Sequence, residues 1–376
     1  MPLFQAPSVS PPPPPASPLE WLSHASFPYI PTAASCGYAL ATFVVVGVAC
    51  DLLRRVCFLK ATSFADKHVL ITGGSQGIGH ATAAAMLQRG ARVTILARTE
   101  ATLQKAASEL REAEAKRRRA ATKEADPVSI QYVAASITDE KQLAAAVAKA
   151  TQEFGPVDCL IACAGGAAPG LFLETPVDVY ARAMELNYVG TLRAIKEVAP
   201  AMVSRRRGQI VIVGSALSVV SFMGYSSYSP TKHALRGLAD TLRNELIGFG
   251  ISVHFAYPPD TETPGFAHEN ETKPIETASM VPIDVFPAAA VAESLVRGAE
   301  AGLYHLPSPD PVLNWMVSSR AGVTPRAYPF LEAGLLPLAS LLESAASIYF
   351  DVWGRRYARR YDREGHATRS HTRSHQ

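Results

Sequence analysis

At 376 residues the chain is long enough for one large α/β domain with appendages, or for two domains. Its formal net charge of +3, with no long patch of Lys and Arg, argues against a nucleic-acid partner. The five cysteines, Cys36, Cys50, Cys57, Cys159 and Cys163, form no CxxC pair and no His/Cys ligand spacing. Neither disulfides nor a metal is called for, which suits a reducing compartment.

In chain order, residues 1–31 come first, with the low-complexity run "PSVSPPPPPASP" at 7–18, and are expected to be disordered. Residues 32–50 then carry no charged side chain, and a span over 32–53 nearly matches a hydrocarbon core of about 30 Å at about 1.5 Å per residue. The sequence therefore predicts a transmembrane helix there. Arg54, Arg55 and Lys60 follow it, while residues 1–31 have neither Lys nor Arg. That asymmetry places the N-terminus in the lumen and the rest in the cytosol.

From about residue 61 to 310 short β-branched runs alternate with longer helical patterns. The strands are predicted at 68–72, 92–97, 128–134, 157–163, 208–214 and 251–257, and the helices at 77–90, 99–118, 139–154, 178–204 and 228–249. Such alternation predicts a Rossmann-type, doubly wound parallel sheet with helices on both faces, and ligands beyond the carboxyl ends of its strands. Residues 311–354 are apolar but broken by Pro329, Glu332, Pro337, Glu343 and Asp351, so the expectation there is a membrane-surface or re-entrant segment, with a soluble core helix as the open alternative. A basic tail, 355–376, suits an anionic leaflet.

The motifs fall at the strand ends. "TGGSQGIG", 72–79, puts Gly73, Gly77 and Gly79 between a strand and a helix, where glycines let a pyrophosphate approach the helix N-terminus. Arg98 ends the second strand where an NAD site usually carries a carboxylate, and a guanidinium there suits a 2′-phosphate, hence NADPH. "YSSYSPTK", 225–232, holds two tyrosines and a lysine. Tyr228 is one helical turn from Lys232 and Tyr225 two turns, so geometry favours Tyr228 as its partner. Pro230 is admissible only if the helix begins near this point.

These motifs, with "CAGG" at 163–166, "LNYVG" at 186–190 and Ser215, resemble those of the short-chain dehydrogenase/reductase family in order and spacing. Within that family the chain is most similar to the branch that reduces 3-keto sphingoid bases, chiefly through "AYPPDTETPGFAHENETKP" at 256–274. The resemblance implies NADPH-dependent reduction of 3-ketodihydrosphingosine to dihydrosphingosine at the endoplasmic reticulum membrane, with the catalytic domain facing the cytosol. It implies a catalytic set of Ser215, Tyr228, Lys232 and Asn187: Tyr228 donates the proton, helped by a pKa lowered by Lys232 and the nicotinamide, Ser215 polarises the ketone, and Asn187 holds a water. The cofactor is implied to touch Gly73, Ser75, Gln76, Gly77, Ile78, Gly79, Arg98, Ser136, Gly165, Tyr228, Lys232, Pro258 and Thr261. Cys163 replaces the usual Asn of the family motif, and Ser136 an Asp that contacts adenine in many members. Residues 258–281 correspond to a lid in which Thr261 and Thr263 reach towards the cofactor, while Phe266 and Met280 shield the alkyl chain. The implied partners are a long-chain 3-keto sphingoid base and membrane lipid, and a homo-oligomer is compatible with the resemblance. Two alternatives stay open: a membrane-bound retinoid or steroid reductase of the same family, and a catalytically silent binding or scaffold protein.

Overall fold

A computed structural model describes residues 42, 45–50, 53, 61–120, 129–280, 284–326 and 328–364. The expected disordered N-terminus, most of the expected span at 32–53 and the last part of the basic tail lie outside these residues. Among the described residues, 45–50 are helical, and no helix is long and apolar enough to cross a membrane.

The strands are β1 (His68–Thr72), β2 (Arg92–Ala97), β3 (Ile130–Ala134), β4 (Cys159–Ala162), β5 (Gly208–Val213), β6 (Ile251–Ala256) and the two-residue β9 (His305–Leu306). They form one sheet in the order β3-β2-β1-β4-β5-β6-β9, parallel throughout. Strand order reverses between β1 and β4, where Val69 lies opposite Val93 on one side and Cys159 on the other. In an open α/β sheet that reversal point opens a crevice at the carboxyl ends of the strands. The fold is a doubly wound, Rossmann-like parallel sheet.

The helices on its faces are α1 (Gly77–Gln88), α2 (Glu100–Ala120), α3 (Glu140–Phe154), α4 (Val177–Met184), α5 (Gly190–Arg205), α6 (Ser229–Leu246) and α9 (Ala288–Glu300). Side chains alternate along each strand, so the two faces build separate cores. Val69, Ile71, Val93 and Ile95 pack on Met86 of α1, Leu103 of α2 and Leu295 of α9. Leu70, Leu96, Leu160 and Ile212 pack on Leu143 of α3, Ile195 of α5 and Leu235 of α6.

Two short helices, α7 (Pro264–Thr272) and α8 (Ile275–Met280), lie in the chain between the strands of a small parallel pair, β7 (Thr261–Glu262) and β8 (Phe286–Pro287). Beyond β9 come α10 (Pro311–Ser319) and α11 (Pro329–Glu364). Leu313 and Val317 of α10 belong to the core of the sheet, so the packed domain runs past residue 310. From Pro329 onward the apolar segment and the first part of the basic tail form one helix through Pro337, with Leu338, Leu341, Leu342 and Ile348 exposed along it.

Candidate active site

The loop after β1 is shaped by close approach. Gly73 and Gly77 sit at φ +71° and +58°, a region that penalises side chains. A Cβ on Gly79 would lie 2.3 Å from the Gly73 carbonyl oxygen, and one on Gly73 would lie 2.8 Å from the Ala164 backbone. Thr72 clasps the β1 and β4 loops together: its Oγ1 accepts from the N–H groups of Cys163 (3.1 Å) and Ala164 (3.2 Å). The helix that follows, α1, starts at Gln76 with no capping side-chain hydrogen bond. By contrast, Asp139 caps α3, Thr263 caps α7 and Asp310 caps α10. α4, α6 and α9 lack such a bond too, so it is the glycine turn that opens the start of α1 to a ligand, and the positive end of the helix dipole favours an anion there. Ser75, Gln76 and Ile78 belong to this turn, and Gly77 is roofed by the Thr263 methyl, 3.1 Å from where its Cβ would be. Arg98 is exposed at the end of β2. Ser136 follows β3, where its Oγ accepts from the Thr138 N–H at 3.3 Å. The donor set fits a dinucleotide: a glycine cradle, an uncapped helix and an arginine at the second strand end.

The catalytic candidates converge beside this loop. Tyr228 is the N-cap of α6 and Pro230 stands in its first turn, where a missing N–H costs nothing. Lys232, one turn on, is buried, with Nζ donating to the Val213 carbonyl at 3.1 Å and lying 5.6 Å from the centre of the Tyr228 ring. Ser215 follows β5, and its hydroxyl stands beside the Tyr228 phenol and acts to lower its pKa. It also accepts from the Leu217 N–H at 3.1 Å, fixing its rotamer at the start of a 3-10 turn. Asn187 lies on a π-helical turn, Glu185–Val189, between α4 and α5. Single π turns of this kind recur at functional sites. Its amide pairs with Gly166 in both directions, at 2.9 and 3.0 Å, and donates to Thr231 Oγ1 at 3.2 Å, tying the β4 loop to α6. A Cβ on Gly165 would lie 2.8 Å from Asn187 Oδ1 and 3.6 Å from Lys232 Nζ, so glycine lets this loop close over the lysine.

The electrostatics differ from the expectation of a lowered tyrosine pKa. Burial pushes the Tyr228 phenol upward, the Glu269 and Asp260 carboxylates add to this, and the Ser215 hydrogen bond opposes it. Burial lowers Lys232 to about 8. In the cofactor-free protein the phenol is thus held protonated, the state a proton donor requires. Tyr225 is a different residue: buried, it donates to Glu269 of α7, and its ring is 6.3 Å from that of Tyr228.

The lid expectation divides. Thr261 donates to the Pro259 carbonyl at 2.7 Å, a bond within its own turn. Pro258 is buried, and its carbonyl accepts from the Ala216 N–H at 2.9 Å. Thr263, through its methyl, is the residue that meets the glycine loop. Met280 is buried, and Phe266 lies under the Lys273 ammonium at 4.8 Å. Beside Tyr225 an apolar cavity of about 460 Å³ is lined by Leu171, Phe172, Phe222, Met223 and, from α11, Tyr357. Phe222 stacks on Phe350 of the same helix with centroids 6.1 Å apart. Sequence reasoning missed Asp260, Glu269 and Lys273; their only signal was the charge within "DTETPGFAHENETK".

The sequence pattern of the short chain dehydrogenase family matches residues 67–274, and the chain belongs to that family of oxidoreductases. Among curated relatives, the chain is 32% identical over 314 residues to the 3-ketodihydrosphingosine reductase of Dictyostelium discoideum, covering 80% of this chain and 92% of the relative. It is 33% identical over 291 residues to the 3-ketodihydrosphingosine reductase of Bos taurus, covering 77% and 81%. Among solved structures, a variant of actinorhodin polyketide ketoreductase with NADPH matches at a TM-score of 0.56 and 28% identity, covering 65% of this chain and 95% of that one. The site binds a nicotinamide cofactor.

Proposed function

We propose that the protein uses NADPH to reduce the 3-ketone of a long-chain 3-keto sphingoid base, 3-ketodihydrosphingosine, to the alcohol. The observation that carries this reading is the convergence of Tyr228, Lys232 (Nζ 5.6 Å from the Tyr228 ring centre) and Ser215 beside the glycine-lined start of α1. Arg98 in place of a carboxylate favours the 2′-phosphate of NADPH, and the two relatives' names supply the substrate.

When bound, the nicotinamide supplies a hydride. Ser215 Oγ and Tyr228 Oη together donate hydrogen bonds to the ketone oxygen, and Tyr228 gives up its proton as negative charge develops there. A ketone oxygen that replaces the Ser215–Tyr228 contact finds two donors already oriented, so little reorganisation is needed. Lys232, held by the Val213 carbonyl with its ammonium 5.6 Å from the ring centre, favours the phenolate left behind. Gly165 and Asn187 keep the β4 loop over this lysine.

The apolar cavity beside Tyr225 suits the alkyl chain, and its α11 wall carries exposed leucines. With the uncharged run at 32–50, this supports attachment to the endoplasmic reticulum membrane with the catalytic domain on the cytosolic side, where an interfacial substrate is met at the bilayer surface. The test is a turnover assay on the full chain with 3-ketodihydrosphingosine, all-trans-retinal and a 3-ketosteroid, each with NADPH and NADH. Preferred turnover of the sphingoid base with NADPH supports the reading, and preferred turnover of retinal or steroid replaces it with the alternative reductase.

A further inference from the structure

Next to the catalytic tyrosine the chain builds a cage for an ammonium and places one of its own ammoniums in it. Lys273 Nζ lies 3.5 Å from Glu269 Oε1, 4.8 Å from the centre of the Phe266 ring and 5.9 Å from that of Tyr225. Two aromatic faces and a carboxylate are the chemistry that recognises a cationic nitrogen, and its attraction grows when water is excluded. The groups are largely shielded: the Lys273 and Glu269 side chains are 11% and 16% exposed. Tyr225, which forms one wall and donates to Glu269, has its ring 6.3 Å from Tyr228. The cage therefore begins one ring away from the reacting phenol.

The charges around it do not balance. Asp260 and Glu269 are two carboxylates facing one ammonium, Lys273, and both act on Tyr228. Burial pushes the Asp260 carboxyl up to about 6, with Lys273 pulling it down and Glu269 raising it further. Resting on the sphingoid-base reading, whose substrate carries an ammonium on the carbon next to its ketone, we infer that the Glu269–Phe266–Tyr225 cage binds the substrate ammonium. Lys273 is its placeholder, moving towards Asp260 when substrate enters. The exchange leaves two carboxylates and two ammoniums, each paired. It orients the ketone too, because an ammonium anchored at Glu269 holds the adjacent carbon against Tyr228. Glu269, Phe266 and Lys273 thus determine specificity for an amino ketone over a neutral one.

The experiment compares kcat/KM for 3-ketodihydrosphingosine with that for its N-acetyl derivative, which keeps the chain and ketone but loses the charge. A hydrogen bond to a charged partner predicts a preference for the free amine of about tenfold to a hundredfold in the wild type. Glu269→Gln should bring that ratio close to one. Lys273→Met, which breaks the same ion pair but empties the cage, should raise it. A purely structural ion pair predicts that both variants lose activity alike on both substrates, and that result would overturn the inference. NADPH binding serves as the folding control; should Glu269→Gln fail it, the sign of the Lys273→Met effect decides alone. Equal turnover of amine and N-acetyl ketone by the wild type would sink the cage while leaving the reductase reading intact. If neither sphingoid ketone were turned over while retinal or a steroid was, both readings would fall.

Discussion

The two halves of the site are made of different material. Around the β1 and β4 loops the working parts, Arg98 apart, are backbone: the start of α1, the turn through Gly73, Gly77 and Gly79, and the Cys163 and Ala164 N–H groups clasped by Thr72. On the β5–β6 side they are side chains, Ser215, Tyr228, Lys232 and the Tyr225–Glu269–Lys273 group, held in place by packing between distant elements. A cofactor with a constant phosphate can be met by fixed N–H groups, whereas a reacting ketone needs groups whose protonation is tuned. The first half should therefore fail by steric change, and the second by loss of a single polar atom.

The largest effect expected from this contrast is Tyr228→Phe, which removes one oxygen and no volume from the backbone half. Turnover should fall by about 10²- to 10⁴-fold with NADPH affinity nearly unchanged. Tyr225→Phe, one ring away, should cost no more than about tenfold, the loss of one hydrogen bond to a charged group. Comparable losses in the two variants would break the distinction between the tyrosines. Gly79→Ala should do the reverse of Tyr228→Phe: a methyl 2.3 Å from the Gly73 carbonyl must displace the turn. An ångström-scale displacement of binding groups costs on the order of 100-fold, here read as weaker NADPH binding in a titration. Arg98→Asp should reduce the NADPH/NADH ratio of kcat/KM by about 10- to 100-fold, because a carboxylate would face the 2′-phosphate. An unchanged ratio would make Arg98 a surface residue. Smallest is Thr72→Val, a near-isosteric change that leaves two backbone N–H groups without their acceptor. It should cost about 1–3 kcal/mol of stability in denaturant unfolding, with chemistry little altered once NADPH is bound.

The same division decided what could be read in advance. β1 and β2 fall at the residues that alternation of β-branched side chains indicates, because burial on both faces imposes that composition. The glycine turn was legible for a related reason: positive φ and close approach admit few other residues. Pro230 likewise marked the start of α6. The π turn at Asn187 left no trace in composition, since it differs from an α-helix by one hydrogen-bond register. β9, two residues long, is too short to carry a period. Glu269 sits in a run of polar residues that reads as a solvated helix face, and only the return of α7 onto Tyr225 gives it a role. The lowered Tyr228 pKa expected from Lys232 and the nicotinamide belongs to the cofactor-bound state; in the cofactor-free protein burial and two carboxylates of the lid, which the Tyr-x3-Lys spacing does not show, push it upward.

The most direct test of the account follows the hydride into the product. Full-length protein is given 3-ketodihydrosphingosine and NADPH carrying deuterium at the transferred C4 position, and the dihydrosphingosine formed is read by mass spectrometry. The account predicts one deuterium on the carbinol carbon with the wild type, and labelled product at least about 100-fold slower to form with Tyr228→Phe. Unlabelled product, or label appearing equally fast in the two proteins, would contradict it.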